Sequence, residues 1–185
     1  VISVIVIGLV EKKNLCLRSN AKINDLILVT GNLGSSRAGL ELLRNNKKGK
    51  SINYYLNSKS KLNMGRKLSK HANAMEDISD GLASEVLNIC SESKTGAVIY
   101  KDLVPLNKNT ISDAKKVNKN PYDYALFGGE DYELVFTLNK KHSNKIKNNF
   151  TIVGKILPKK QGVYLLDNGK KKKLSYGYDQ FKSKI

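Results

Sequence analysis

Ala74-Met75-Glu76-Asp77-Ile78-Ser79-Asp80-Gly81-Leu82 (AMEDISDGL) passes from a short extended piece, Met75 to Ile78, through a glycine into a helix. Downstream of it, Leu82, Val86, Ile89 and Cys90 recur at helical spacing, so Gly81 to Ser93 reads as a helix with one apolar face. Upstream, Asp25 to Thr30 (DLILVT) is a short continuous apolar run, the pattern of a buried strand. Gly31 to Gly34 stops it, and Ser35 and Ser36 can cap a helix reaching about Arg44. Lys47 to Lys50 reads as a solvated loop and Met64 to Ala72 as a further helix.

The rest of the chain keeps alternating. Ala97 to Tyr100, Tyr132 to Leu138, Thr151 to Ile156 and Gly162 to Leu166 read as strands, and so does the Val/Ile-rich opening Ser3 to Val10. Thr110 to Val117 reads as a helix that Pro121 prevents from continuing, and Lys140 to Asn148 as a polar helix. Asp167-Asn168-Gly169 is a hairpin turn, because Asn-Gly tolerates the positive φ of a type I′ turn. Interleaved strands and helices predict an α/β (α+β) layered domain.

The 185 residues are 40% hydrophobic, enough to fill a core. No apolar run is long enough to cross a bilayer, and Val1 in place of Met fits a chain cut from a longer one. Cys16 and Cys90 are far apart and suggest neither a disulfide framework nor a metal pair, which makes the cytoplasm the default compartment. The net charge of +17 could serve a nucleic-acid surface. The basic residues are scattered and nearly all Lys, however, with Arg only at 18, 37, 44 and 66, and Arg is the better reader of phosphates and guanines. No nucleic-acid or membrane partner is therefore expected.

Three constellations can carry chemistry. In Glu76 to Gly81, Asp77 and Asp80 can be brought onto one small volume by a turn at Ser79-Asp80-Gly81. Packed carboxylates repel unless a cation lies between them, and Mg²⁺ asks for one or two carboxylates plus phosphate oxygens. Plain helix capping by Ser79 or Asp80 explains the same residues equally well. In Gly128-Gly129-Glu130-Asp131-Tyr132-Glu133, two glycines permit close backbone approach before three carboxylates enter a strand; a loop with charged edges is the plainer reading. In Gly31 to Gly39, a glycine turn opening a helix can bind an anion, but the Lys-Ser/Thr pair of a Walker loop is absent, and Gly39 suits tight packing. His71 and His142 have no partners that suggest a triad or a zinc site.

Taken together and in this order, these motifs resemble thiamine-monophosphate kinase of the aminoimidazole-ribonucleotide (AIR) synthetase superfamily. The resemblance runs through Arg18-Ser19-Asn20-Ala21-Lys22, Leu28-Val29-Thr30-Gly31, Asp77-Ile78-Ser79-Asp80-Gly81-Leu82, Gly128-Gly129-Glu130-Asp131-Tyr132-Glu133-Leu134 and the tail Gly177-Tyr178-Asp179-Gln180-Phe181. It implies a layered α/β/α sandwich with partial ferredoxin-like topology from about Ile23 onward, with residues 1–22 as terminal strands of an N-terminal ATP-binding domain. It implies Asp77 and Asp80 as Mg²⁺ ligands, Arg18 and Ser79 as ATP contacts, and Glu130 and Phe181 as contacts to the thiamine part of the substrate. The chain departs from the family where a His and a Pro-x-Pro-Arg are expected: Tyr55 to Lys61 lacks the prolines, and Lys61 stands in place of Arg. A hydrogenase-maturation relative is expected to carry a C-terminal Cys, whereas this chain ends Lys184-Ile185.

The implied reaction moves the γ-phosphoryl of ATP onto the phosphate of thiamine monophosphate. The acceptor phosphate has a second pKa near ~6 and is already nucleophilic at neutral pH, so no acid–base residue is nominated. The family's Gly-Asp and further metal-binding Asp residues are expected upstream of Val1, so this part alone is not expected to turn over. The superfamily tends to dimerise through that upstream domain, so the resemblance implies a homodimer only for the full-length protein and leaves the oligomeric state of this chain open. Two alternatives remain: another ATP-dependent enzyme of the superfamily, and a basic binding module without catalysis.

Overall fold

The computed structural model describes residues 3–145 and 150–177. Seven strands, β1 (Leu26–Thr30), β2 (Ala74–Asp77), β3 (Thr95–Tyr100), β4 (Leu134–Leu138), β5 (Phe150–Pro158), β6 (Val163–Asp167) and β7 (Lys170–Lys173), form one sheet in the order β2-β4-β1-β5-β3-β6-β7. Every neighbouring pair is antiparallel except β3 and β6. The helices are α1 (Ser35–Arg44), α2 (Ile52–Leu56), α3 (Leu62–Leu68), α4 (Leu82–Ser93), α5 (Lys108–Lys116) and α6 (Pro121–Phe127).

Strand alternation sorts the core into two faces. On β1, Ile27 and Val29 join Leu82, Val86 and Ile89 of α4 and Leu126 of α6 in the larger cluster. Leu26 and Leu28 face the other way, toward Met64 and Leu68 of α3 and Phe136 and Leu138 of β4. Helices on both faces of one sheet make the layered α/β sandwich that the sequence predicts. The four residues of the apolar α4 stripe, Leu82, Val86, Ile89 and Cys90, are all buried, at roughly 1.5–3 kcal/mol for each large aliphatic.

Two helices go beyond the sequence expectation. Pro121 opens α6, where the Asn120 side chain accepts from the Tyr122 N–H at 3.1 Å. Proline suits a first helical position, whose N–H has no partner in any case. The other is α2, which packs on α1 so closely that a Cβ on Gly39 would collide with the Ser51 carbonyl. The sequence reading of Gly39 as tight strand-to-helix packing is right about the tightness, but the close neighbour is a second helix and not a strand. The turn at Asn168 (φ 48) and Gly169 (φ 76) joins β6 to β7 as expected.

Ser3–Val10 is not a strand. A strand needs a ladder partner, and no described strand pairs with it; Ile7 and Leu9 are 91% and 105% exposed. β4 begins at Leu134, two residues later than expected, because Tyr132 is left-handed at φ 50. The polar segment after β4 is a 3-10 helix over Lys140–Lys145, and its expected continuation to Asn148 lies outside the described residues. So do Phe181 and the tail from Tyr178.

Candidate functional site

The two acidic motifs, about fifty residues apart in sequence, are bound to each other by their backbones. Asp77 ends β2 opposite Leu134. Beyond it the Ile78 N–H donates to the Glu133 carbonyl (2.7 Å), the Tyr132 N–H to the Ile78 carbonyl (2.9 Å) and the Glu130 N–H to the Ser79 carbonyl (2.7 Å). Glu130 (φ 61) and Tyr132 (φ 50) are held in the left-handed region, at about 1–2 kcal/mol each. Such conformations persist where surrounding bonds over-determine them, and they concentrate at functional sites. Gly129, at φ +70, lies directly against the Ser79 carbonyl, where any side chain would collide.

Helix capping does not account for the acidic residues of the first motif. Gly81 is the N-cap of α4 and no side chain caps it. Asp77 and Glu130 are exposed and Asp80 is half-buried. Among the described residues, none of these three side chains has a hydrogen-bond or ion-pair partner. The Tyr132 phenol is pushed up by burial and then by the charges of Glu130, Asp77 and Asp80. A cleft of about 710 Å³ opens beside Asp77 and Tyr132, against Leu62, Met75 and Leu134, with Lys59 and Lys61 at its wall. Two unpaired carboxylates on one loop fit Mg²⁺, which keeps water and phosphate oxygens in its shell. The described residues contain no group of three or more His, Cys, Asp or Glu placed around a metal, so the pair would be one side of an open site.

Arg18 reaches this region from a 3-10 turn, Arg18–Asn20. Its guanidinium is 2.6 Å from Glu76 Oε1, with Glu76 buried and Arg18 still 55% exposed. Burial first, and then the neighbouring Glu85 carboxylate, push Glu76 up to about 7 against the pull of Arg18. Ser79 is half-buried, and its backbone N–H donates to Glu85 Oε1 at 3.2 Å.

The remaining two carboxylates of the second motif face away from this cluster. Asp131 accepts from the N–H of Gly34 (2.6 Å) and of Ser36 (3.1 Å), so the acceptor at the start of α1 is a carboxyl group of the chain itself. Burial pushes Asp131 up to about 7, with Glu133 adding to the rise and the two amides opposing it. Glu133 holds Lys61 Nζ at 2.7 Å and takes the Thr30 hydroxyl, so Lys61, the residue in place of the expected Arg, fastens its loop to the second motif. Ser35 and Ser36, expected as caps, leave that role to Asp131: Ser35 bonds Thr110 instead. Sequence reasoning missed Tyr132 and Glu85 as parts of the site. The period-2 alternation Glu130/Tyr132 against Asp131/Glu133 was the available signal for the first.

The C-terminal end of the described chain returns to the same place. The Gly177 N–H donates to Ser84 Oγ at 2.8 Å, and a Cβ on Gly177 would stand 2.6 Å from the Asp80 carbonyl. The tail beyond Gly177 thus starts beside Asp80, at the N-terminal end of α4.

A family model described as AIR synthase related protein, C-terminal domain, matches residues 22–162. A thiamine-monophosphate kinase of Buchnera aphidicola subsp. Acyrthosiphon pisum is 42% identical over 178 residues, covering 89% of this chain and 54% of that protein. Among solved structures, AaThiL complexed with AMPPCP and TMP is similar at a TM-score of 0.76 and 34% identity, over 86% of this chain and 52% of that one. E. coli HypE, a hydrogenase maturation protein, has a TM-score of 0.72 at 16% identity, over 89% of this chain and 53% of that one, a likeness of fold alone. The chain spans about half the length of the curated relatives it matches.

Proposed function

The chain belongs to the family of AIR synthase related proteins, as their C-terminal domain, and from that premise we propose that it serves ATP-dependent phosphorylation of thiamine monophosphate to thiamine diphosphate. The observation that carries the reading is the backbone pairing of the two acidic motifs, which brings together the segments that carry Asp77, Asp80 and Glu130, none of whose side chains has a hydrogen-bond or ion-pair partner among the described residues. Unpaired carboxylates gathered in one place call for a cation or a cationic ligand. The thiamine-monophosphate kinase at 42% identity and the AMPPCP- and TMP-bound neighbour support ATP and thiamine monophosphate as the ligands.

In this reading Asp77 and Asp80 would hold Mg²⁺, which would supply positive charge against the phosphate oxygens. Arg18, with half its side chain in solvent, adds a positive charge toward the nucleotide phosphates, and Ser79 offers its hydroxyl to the same ligand. Glu130 faces the cationic thiamine group. The Tyr132 phenol, raised above its ordinary value, stays protonated and can donate a hydrogen bond. The acceptor phosphate is ionised near neutrality (second pKa ~6) and needs no base, so the residues' work is positioning and charge neutralisation. The role of Phe181 as a ring face for the thiamine cation belongs to the same proposal.

The test uses Mn²⁺ as a Mg²⁺ probe, followed by electron paramagnetic resonance on the purified chain. Saturable binding that Mg²⁺ displaces is expected, with Asp77→Asn and Asp80→Asn each reducing it. If both variants bind Mn²⁺ as the parent chain does, the assignment of the two aspartates is wrong.

A further inference from the structure

Glu85 lies in the first turn of α4 and is 1% exposed. A buried carboxylate is costly unless its lone pairs are used. Its Oε1 accepts from the Asp80 N–H (2.8 Å), the Ser79 N–H (3.2 Å) and the Ser79 hydroxyl (3.4 Å). This is not an ordinary capping box, in which the third helical residue reaches back to the N-cap. Gly81 is the N-cap, Glu85 is the fourth helical residue, and the amides it binds lie outside the helix on the turn that carries Asp77 and Asp80. The third residue, Ser84, instead takes the Gly177 N–H.

Behind Glu85 the contacts continue. Asn88 Nδ2 lies between two carboxylates, 3.2 Å from Glu85 Oε2 and 3.4 Å from Glu76 Oε1. Glu76 Oε1 in turn holds Arg18 at 2.6 Å. One chain of side chains therefore runs from the arginine on the nucleotide side to the backbone of the aspartate turn.

We propose that Glu85 is a positioning residue: its carboxylate pins the Ser79 and Asp80 amides, and so holds the Asp77 and Asp80 carboxylates in place for divalent-cation binding. The inference rests on the metal reading of those two aspartates and deepens it. An acceptor oxygen at this reach is what the turn requires, and the negative charge is secondary. Removing the acceptor frees the turn, and a carboxylate attached to a free turn holds a metal poorly. Losing such a supporting partner characteristically costs about 10–100-fold in metal affinity.

Two variants separate the acceptor from the charge. Glu85→Met keeps length and volume but accepts nothing, whereas Glu85→Gln keeps an acceptor oxygen and loses the charge. For each, Mn²⁺ affinity is measured by paramagnetic resonance, and hydrogen exchange of the Ser79 and Asp80 amides by ¹⁵N NMR without metal. The Met variant is expected to bind Mn²⁺ about 10–100-fold more weakly, with faster exchange at those two amides. The Gln variant is expected to restore both to within a few-fold. Glu85→Ser, too short to reach either amide, replaces Met if the Met variant does not fold. Unchanged Mn²⁺ affinity and unchanged exchange in the Met variant overturn the positioning role and leave the aspartate assignment standing. Mn²⁺ binding that Asp77→Asn and Asp80→Asn both leave unchanged removes the aspartate assignment, and the inference falls with it.

Discussion

Gly129→Ala is the substitution that most directly tests how the two acidic motifs are joined. Gly129 sits at φ +70, and an added Cβ would collide with the Ser79 carbonyl and stand 3.0 Å from Asp80 Cα. Three costs follow. The left-handed backbone costs an L-residue about 1–2 kcal/mol. Forcing a methyl group against backbone that cannot retreat costs about 1–3 kcal/mol. If the strands part to relieve the clash, the 2.7 Å bond from the Glu130 N–H to the Ser79 carbonyl is lost, at about 1 kcal/mol. The total is roughly 3–6 kcal/mol. Gly169→Ala supplies the control: φ is +76 and nothing lies within 4 Å of its Cβ position, so it carries only the backbone cost of about 1–2 kcal/mol. For a chain of this size each kcal/mol moves Tm by about 2–4 °C. Thermal unfolding followed by circular dichroism should therefore show Gly129→Ala falling by roughly 6–24 °C and Gly169→Ala by less than half as much. Equal shifts would refute the argument that close contact between the motifs, and not backbone conformation alone, demands glycine at 129.

The other expectations concern single groups. Burial holds Asp131 near 7, well above the ordinary carboxylate range, so the folded chain keeps a proton there that the unfolded chain has already released. Stability from this group is fully present below the ordinary carboxylate pKa and is lost as pH rises toward 7. Urea unfolding at pH 5 and pH 7.5 should show the parent chain losing more stability with pH than Asp131→Asn does; equal losses would count against it. Asn120→Ala removes the acceptor for the Tyr122 N–H at the start of α6, and a fall of about 1 kcal/mol is expected by the same measurement.

Most of the fold was legible because most of it depends on local patterns. DLILVT at 25–30 could be little except a buried strand, and the turn at Asn168-Gly169 follows from two residues that tolerate positive φ. Pro121 was read only as a stop. The preceding Asn120 is an N-cap residue, and Asn followed by Pro is a helix start as much as an end. Ser3–Val10 has the composition of a strand, but a strand is a pairing and not a composition, and no described strand pairs with it. The left-handed Glu130 and Tyr132 could not be foreseen for the same reason. Non-glycine residues take that conformation only when distant backbone holds them there, and here the holding carbonyls belong to Ile78 and Ser79.

The candidate site divides along the same line. Asp77, Asp80 and Glu130 were visible as residue types crowded into short motifs, but which of the neighbouring carboxylates share a volume was not. Asp131 and Glu133 belong to the support of α1 and of Lys61, on the far side of the same loop. For Glu85 the signal was present and was overlooked. It lies three residues after Leu82 and four before Ile89, on the stripe that the helix buries. A carboxylate on a buried stripe must be matched by donors, and the nearest donors not used by the helix itself are the free amides ahead of its first turn. Those amides belong to Ser79 and Asp80. A charged residue that breaks an otherwise apolar helical face, one turn after an acidic loop, therefore points back at that loop, and here it points at the two residues beside which a cation is expected.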